Sequence, residues 1–266
     1  MSATAAPPGV PAGSAVPSRH GSLAAAVYAR FDAVFPLLRV TTESPRGEGW
    51  LTGRALADDA AVREALVERA ARGMRQTHGA APRPDVAATE VLHQYAFVAC
   101  LAMSGPWHLE ARVPWLETGR LAYHEGEKVL ALAPARISCL PGDPAAGLPG
   151  VRTVPDGEAL RAELRAAVAA HLAPVLDAFG PLLRRGPRGM WGVATDELAD
   201  GLGYLGTLLG DERAAAAAAG ALLPGGTPPY SGAARFHADG SRTRLNCCLY
   251  YTFPAAPLCS SCPRRV

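Results

Sequence analysis

Lysine is nearly missing from this chain: of its 26 basic residues, 25 are arginine and one is Lys128. A GC-rich genome accounts for that skew without any functional demand. Surplus charge is missing too, since a formal net charge of +2 over 266 residues leaves no bulk field to attract nucleic acid or an anionic membrane surface. Arg, Asp, Glu, Gly or Pro interrupts each apolar stretch before it reaches the roughly 18 residues that span a bilayer. The first 20 residues have no basic start, no apolar run of about 7–15 residues and no twin arginine, so they do not read as a secretion signal. A disordered extension on a cytoplasmic protein is the expectation. No phosphate loop is visible: Gly201-Leu202-Gly203 lies inside a helical pattern, and Gly225-Gly226 lacks a following lysine and helix. Nicotinamide or flavin binding is therefore not expected. No internal repeat is present.

Hydrophobic residues make up 49% of the chain, enough for the core of one large domain. Leu23, Val27, Phe31, Phe35 and Leu38 at helical spacing predict a helix over Ser22 to Leu38, broken by Pro36 near its end. Asp58-Asp59 opens an amphipathic helix over Ala60 to Thr77, and Pro84-Asp85 opens a buried one reaching about Ser104. Leu121-Ala122-Tyr123 and Val129-Leu130-Ala131-Leu132 flank His124-Glu125-Gly126-Glu127 as a hairpin. After a Pro/Gly-rich loop over 141–157, helices are predicted from Asp156 to about Phe179, Gly189 to Leu209 and Asp211 to Leu223. Pro224 to Gly232 reads as a loop, and Ala234 to Ala238 and Arg242 to Asn246 as short strands around Asp239-Gly240. The fold class is α+β, mainly α, with a helical body and a small antiparallel sheet.

The sharpest signal is at the C-terminus, where Cys247, Cys248, Cys259 and Cys262 follow the pattern C-C-x10-C-x2-C. Cytoplasmic thiols are kept reduced, so such a group reads first as a metal or redox site. Cys259-Ser260-Ser261-Cys262, followed by Pro263, is a turn able to aim two thiolates at one metal. Neighbouring side chains in an extended strand point to opposite faces, so the Cys247-Cys248 pair needs a local bend. A Cys-Cys dipeptide has too short and divergent a bite for a zinc knuckle. A [2Fe–2S] cluster offers two irons needing two ligands each, which places Cys259 and Cys262 on one iron and Cys247 and Cys248 on the other. Zinc and cofactor-free thiols remain the alternatives. Cys100, in an apolar helix, and Cys139, ahead of the loop, have no cysteine neighbour in sequence and read as core residues.

The stretch from Arg244 through Cys247-Cys248, Tyr250-Tyr251 and Leu258-Cys259 to Cys262-Pro263 resembles the C-terminal signature of FhuF-type ferric siderophore reductases. Met190-Trp191-Gly192, opening a helix upstream, is similar to a second pattern of that family. Two positions depart from it. Family members tend to have arginine two places before the cysteine pair and often an acid within the last C-x2-C, where this chain has Leu245 and Ser261. The resemblance implies a [2Fe–2S] cluster on the four cysteines and one-electron reduction of an iron(III)-siderophore with release of iron(II). It divides the chain into a tail (1–20), a helical siderophore-binding body (21–232) and a C-terminal [2Fe–2S]-binding segment (233–266). The competing function is a non-redox siderophore-binding or scaffold module with a structural zinc site.

The expected partners are a ferric siderophore, hydroxamate favoured, and a separate electron donor such as a ferredoxin or flavin reductase, together with a loose association with the inner membrane face. Arg242, Arg244, Arg264 and Arg265 flank the cysteines as a basic collar for an acidic donor or an anionic chelate, unless they are merely a solvated tail. Trp191 beside Arg188 offers an aromatic and cationic wall to a bulky chelate, although tryptophan at a helix start more often packs. Of the histidines, His237 is the best candidate because it leads into the cysteine segment, ahead of His93, His108, His124 and His171.

Overall fold

A computed structural model describes residues 22–36, 38–237, 240–254 and 256–265. The expectations for the tail over 1–20 and for Ala238 and Asp239 lie outside the described residues. Among these, seven α-helices and seven short strands follow in the order α1 (Leu23–Val34), β1 (Arg39–Thr41), β2 (Trp50–Thr52), α2 (Gly53–Asp58), α3 (Ala60–His78), α4 (Pro84–Glu110), β3 (Arg112–Trp115), β4 (Leu121–His124), β5 (Val129–Leu132), β6 (Arg136–Cys139), β7 (Val151–Thr153), α5 (Gly157–Leu183), α6 (Pro187–Leu209) and α7 (Glu212–Leu222). The fold is α+β and mainly α.

Local chemistry sets most helix ends. Ser22 Oγ accepts the Ala25 N–H at 3.1 Å to open α1, and Asp59 Oδ1 accepts from Ala61 and Val62 to open α3. Gly79, at φ +69°, closes α3 just after Arg75 and His78 in the last turn. Pro84 begins α4, where its missing N–H costs nothing. This helix runs beyond the expected Ser104 to Glu110, straight through Pro106. Its residues from Ala99 to Pro106 are all buried, and that packing outweighs the one backbone hydrogen bond that proline removes. Gly105 lets α1 approach, since a Cβ there would stand 2.4 Å from the Phe31 ring.

The core gathers Phe31, Leu92, Leu101, Leu164, Phe179 and Leu198 from α1, α4, α5 and α6. By length and composition α4 and α5 could each cross a membrane, yet both contribute heavily to this core. In place of one antiparallel sheet there are two small mixed ones. The hairpin of β4 and β5 pairs as expected, with Leu121 opposite Leu132, and β1 joins β5 in parallel to give the order β1-β5-β4-β2. The second sheet, β3-β6-β7, also mixes an antiparallel and a parallel pairing. Strands of three residues are too short to show alternation, which is why β1, β2 and β7 escape a sequence reading.

The predicted strands at 234–238 and 242–246 reduce, among the described residues, to a single bridge between Phe236 and Arg242. A second small core of Met74, Val86, Ala87 and Phe253 fastens the cysteine segment to α3 and α4.

Candidate metal centre

In the middle of α6 an otherwise apolar helix carries Asp196, Glu197 and Asp200, the first two fully buried. The cysteine segment supplies their partners. Asp196 Oδ1 accepts from the Arg242 guanidinium at 2.9 Å and from the Leu245 N–H at 2.8 Å, and Asp196 Oδ2 accepts the Asn246 N–H at 2.8 Å. One carboxylate thus satisfies the two backbone donors immediately before Cys247, in place of a strand partner. Arg242 also donates to Asp200 at 2.8 Å, while Arg244 bonds Glu197 and reaches Asp200 Oδ2 at 3.1 Å. His93, on α4, completes the group with Nδ1 at 2.5 Å from Glu197 Oε1 and its two ring nitrogens 3.1 and 3.3 Å from Arg244. Gly192 permits this close approach of α6, because a Cβ there would lie 2.6 Å from Asn246 Nδ2.

The bend required by the adjacent cysteines is at Leu249, whose φ is +66°. A left-handed leucine costs roughly 1 kcal/mol or more. Its N–H contact to Cys247 Sγ at 3.4 Å, and the packing of Leu249 and Tyr250 on the second core, offset that cost. The other cysteine pair sits on a turn closed by the Cys262 N–H on the Cys259 carbonyl at 3.1 Å, and the Arg244 N–H on the Ser261 carbonyl at 2.9 Å ties the two stretches together. Cys248 Sγ and Cys259 Sγ lie 3.9 Å apart, and the Cys262 thiol neighbours those of Cys247 and Cys259.

Burial, followed by the neighbouring Cys248, pushes the Cys259 thiol up to about 12, and burial is the main cause of the rise at Cys247. Thiols whose pKa is raised, as at Cys247 and Cys259, become thiolates beside a compensating positive charge, which a bound metal provides. Among the described residues no three His, Cys, Asp or Glu side chains are grouped as one metal ion would hold them. The four cysteines nevertheless supply the ligand number and type of a dinuclear cluster with two ligands on each iron. The residues present therefore fit a [2Fe–2S] group held by Cys247, Cys248, Cys259 and Cys262. Cys100 and Cys139 are buried in the body.

The basic collar is corrected in its main members. Arg242 and Arg244 point inward onto α6, their side chains only 4% and 12% exposed, so their charge is spent on Asp196, Glu197 and Asp200. Burial pulls the Arg244 guanidinium down, but those three carboxylates more than compensate and hold it above its usual value. Arg264 lies with its guanidinium 4.1 Å from the centroid of the Tyr251 ring, and Arg265 donates to the Leu258 carbonyl. Trp191 is half-buried edge-on against Tyr230, a packing role, while Arg188 is exposed on the first turn of α6. His237 pairs with Thr243 at 3.0 Å; the histidine built into the site is His93.

Sequence reasoning missed Arg185, which donates to the Cys247 carbonyl at 2.8 Å, and the acids of α6. Acids one turn apart inside an apolar helical pattern were the available signal. Also missed was Tyr250, whose hydroxyl donates to Glu90 at 3.0 Å. Burial and then the Glu90 carboxylate push that phenol well up.

Beside the cysteines lies a cavity of about 640 Å³ with Cys248 and Cys259 in its wall, together with Glu90, Phe97, Tyr250 and Leu258. A second cavity of about 910 Å³ between α3, α4 and the first sheet shares His78, Glu90, Gln94, Phe97 and Tyr250 with it. A comparison with curated proteins found no match. A family model did match at residues 244–264, the stretch that holds all four cysteines. It favours iron–sulfur over zinc, and it likens this segment, not the whole chain, to iron–sulfur proteins of a siderophore-related family. Residues 244–264 match a family model described as the FhuF 2Fe-2S C-terminal domain, and the cofactor is a [2Fe–2S] cluster.

Proposed function

We propose that the protein is a cytoplasmic ferric siderophore reductase that delivers one electron to a bound iron(III)-siderophore and thereby releases iron(II). The observation that carries this reading is the cavity of about 640 Å³ with two of the four cluster ligands, Cys248 and Cys259, in its wall. When bound, the cluster supplies a single electron at low potential, about −400 mV in plant-type ferredoxins. Hard oxygen ligands hold iron(III) firmly and iron(II) much more weakly, so one electron suffices for release.

The chain's own residues shape the site. Phe97, Ala256, Pro257 and Leu258 make an apolar wall that keeps water from a bound chelate, and the Tyr250 hydroxyl holds Glu90 at the junction with the larger cavity. Across both cavities the charged residues of the lining balance: Arg69, Lys128 and Arg244 against Glu90, Glu125 and Asp200. Arg69 is further tied to Glu125, and Arg244 to Asp200. A balanced wall favours a neutral guest. Three hydroxamates, each singly negative, neutralise iron(III), whereas three catecholates leave a trianion, so the lining supports a hydroxamate siderophore. The electron comes from a separate donor such as a ferredoxin or a flavin reductase.

The test is to reduce the protein chemically, mix it anaerobically with a ferric hydroxamate siderophore and follow the cluster by stopped-flow absorbance. Reoxidation should yield roughly one iron(II) per cluster, caught by a ferrous chelator. An intact cluster that no ferric chelate reoxidises would overturn the reading in favour of a binding module.

A further inference from the structure

Cys248 and Cys259 belong to the cavity wall, but Cys247 adjoins another feature. Its carbonyl accepts from Arg185 at the junction of α5 and α6. Arg185 is also close enough to Asp85 for the acid to act on it, and Asp85 in turn feels Arg184. Arg83 grips Asp85 through two hydrogen bonds, 3.0 and 2.6 Å long, and its charge reaches Tyr251. Over the Tyr251 ring lies the Arg264 guanidinium. Three exposed arginines, Arg83, Arg184 and Arg264, thus meet one acid, Asp85, and leave a surplus of two positive charges around the exposed Tyr251, while the half-buried Arg185 is answered by Cys247, Asp85 and Asp196. Arg83, Arg184 and Arg264 are exposed, as is Tyr251. Arginine and tyrosine are the residue types that interfaces favour.

We propose that this face, made by Arg83, Arg184, Arg185, Arg264 and Tyr251, is the docking surface for an acidic one-electron donor protein. The inference rests on the reductase reading and relocates the donor site from the buried Arg242 and Arg244 to a group in which Arg83, Arg184 and Arg264 are exposed. Long-range attraction between this patch and an acidic surface brings the partner to the Cys247 side and orients it there. None of these five residues lines the cavity at Cys248 and Cys259, so the donor face and the chelate site are made of different side chains. Arg185 is half-buried against the Cys247 backbone and positions that residue, while the three exposed arginines carry the recognition.

The test uses the full chain with its cluster and the triple variant Arg83→Gln, Arg184→Gln and Arg264→Gln. Binding of a strongly acidic plant-type ferredoxin, in its oxidised form, is measured by calorimetry at low and at physiological ionic strength. The expected result is roughly tenfold weaker binding by the variant at low salt and a shallower dependence on salt than in the parent. Its cluster potential and its reaction, once reduced, with a ferric chelate should equal the parent's. Equal ferredoxin binding by the two proteins at every salt concentration would overturn the proposal. So would a shifted cluster potential with unchanged binding, which would assign the arginines to the charge of the cluster. Loss of binding to anionic phospholipid vesicles with ferredoxin binding retained would overturn it in favour of a membrane-facing patch. If instead the chelate fails to reoxidise the reduced parent while ferredoxin binding still depends on the arginines, the reductase reading falls and the docking surface stands.

Discussion

The helical body and the cysteine segment are held by different physics. The body buries Phe31, Leu92, Leu101, Leu164, Phe179 and many other apolar side chains, so no single contact decides its fate. Between 240 and 265 the described chain has one isolated bridge and a short 3-10 turn at Tyr250–Thr252. Its buried residues there are Arg242, Phe253 and Cys262. Its order comes from a few directional contacts, chiefly those of Asp196, and from whatever the four thiols hold. A region built in this way is placed accurately and is easily lost, because each contact stands alone.

The strongest challenge to that contrast is Cys259→Ser. The expected outcome is complete loss of the cluster's visible absorption and EPR signal, while far-UV circular dichroism keeps the helical content. A body that unfolded along with the cluster would break the comparison.

Next in size is Asp196→Asn, which keeps the shape but removes the buried charge facing Arg242. Breaking a buried pair from one side costs about 3–5 kcal/mol. Amide hydrogen exchange should rise across residues 244–264, and the cluster should be lost faster to a chelator, with the protection of α4 and α5 unchanged. Equal protection of residues 244–264 in the variant and the parent would show that Asp196 does not hold the segment.

A smaller effect acts on the body alone. His171 is fully buried, with Nδ1 at 2.8 Å from the Leu116 carbonyl and Nε2 at 2.6 Å from the Tyr95 hydroxyl, and burial lowers its pKa to about 4. The folded state resists a proton that the unfolded chain accepts near its ordinary value of about 6.5. Its contribution to stability is therefore whole above about pH 6.5 and is lost as pH falls towards about 4, by about 3 kcal/mol. Denaturant titrations of the body between those pH values should show that slope, and His171→Gln should flatten it. An equal slope in the variant would assign the acid sensitivity elsewhere.

Much of the fold was legible because helix signals are local. Ser22, Asp59, Pro84 and Gly79 act within a turn of their own position, and the helices begin and end close to where those residues put them. The exceptions share one cause. Helix α4 continues through Pro106, and the strand expected at 242–246 does not form, because distant side chains satisfy the backbone: the Tyr28 hydroxyl donates to the Ala102 carbonyl in one case and the Asp196 carboxylate accepts two N–H groups in the other. The expected sheet gained β1 through a parallel pairing of Arg39 with Val129, on strands far apart in sequence, and a second sheet formed from strands too short to be read.

The cysteine pattern by itself named the candidate ligands of the metal group, because residue type and spacing are covalent facts that folding does not alter. The need for a bend after the adjacent pair was equally inherent, since neighbouring side chains in extended backbone diverge, and Leu249 supplies it. Only the tertiary structure decided which arginines remain free charges. Arg244 meets His93 across 151 positions and Arg242 meets Asp196 across 46, whereas Arg184 and Arg264 are left exposed. A charge is cancelled by whatever lies within a few ångströms of it, and for these arginines that neighbourhood is made by the packing of α4 and α6 rather than by the residues beside them in the chain.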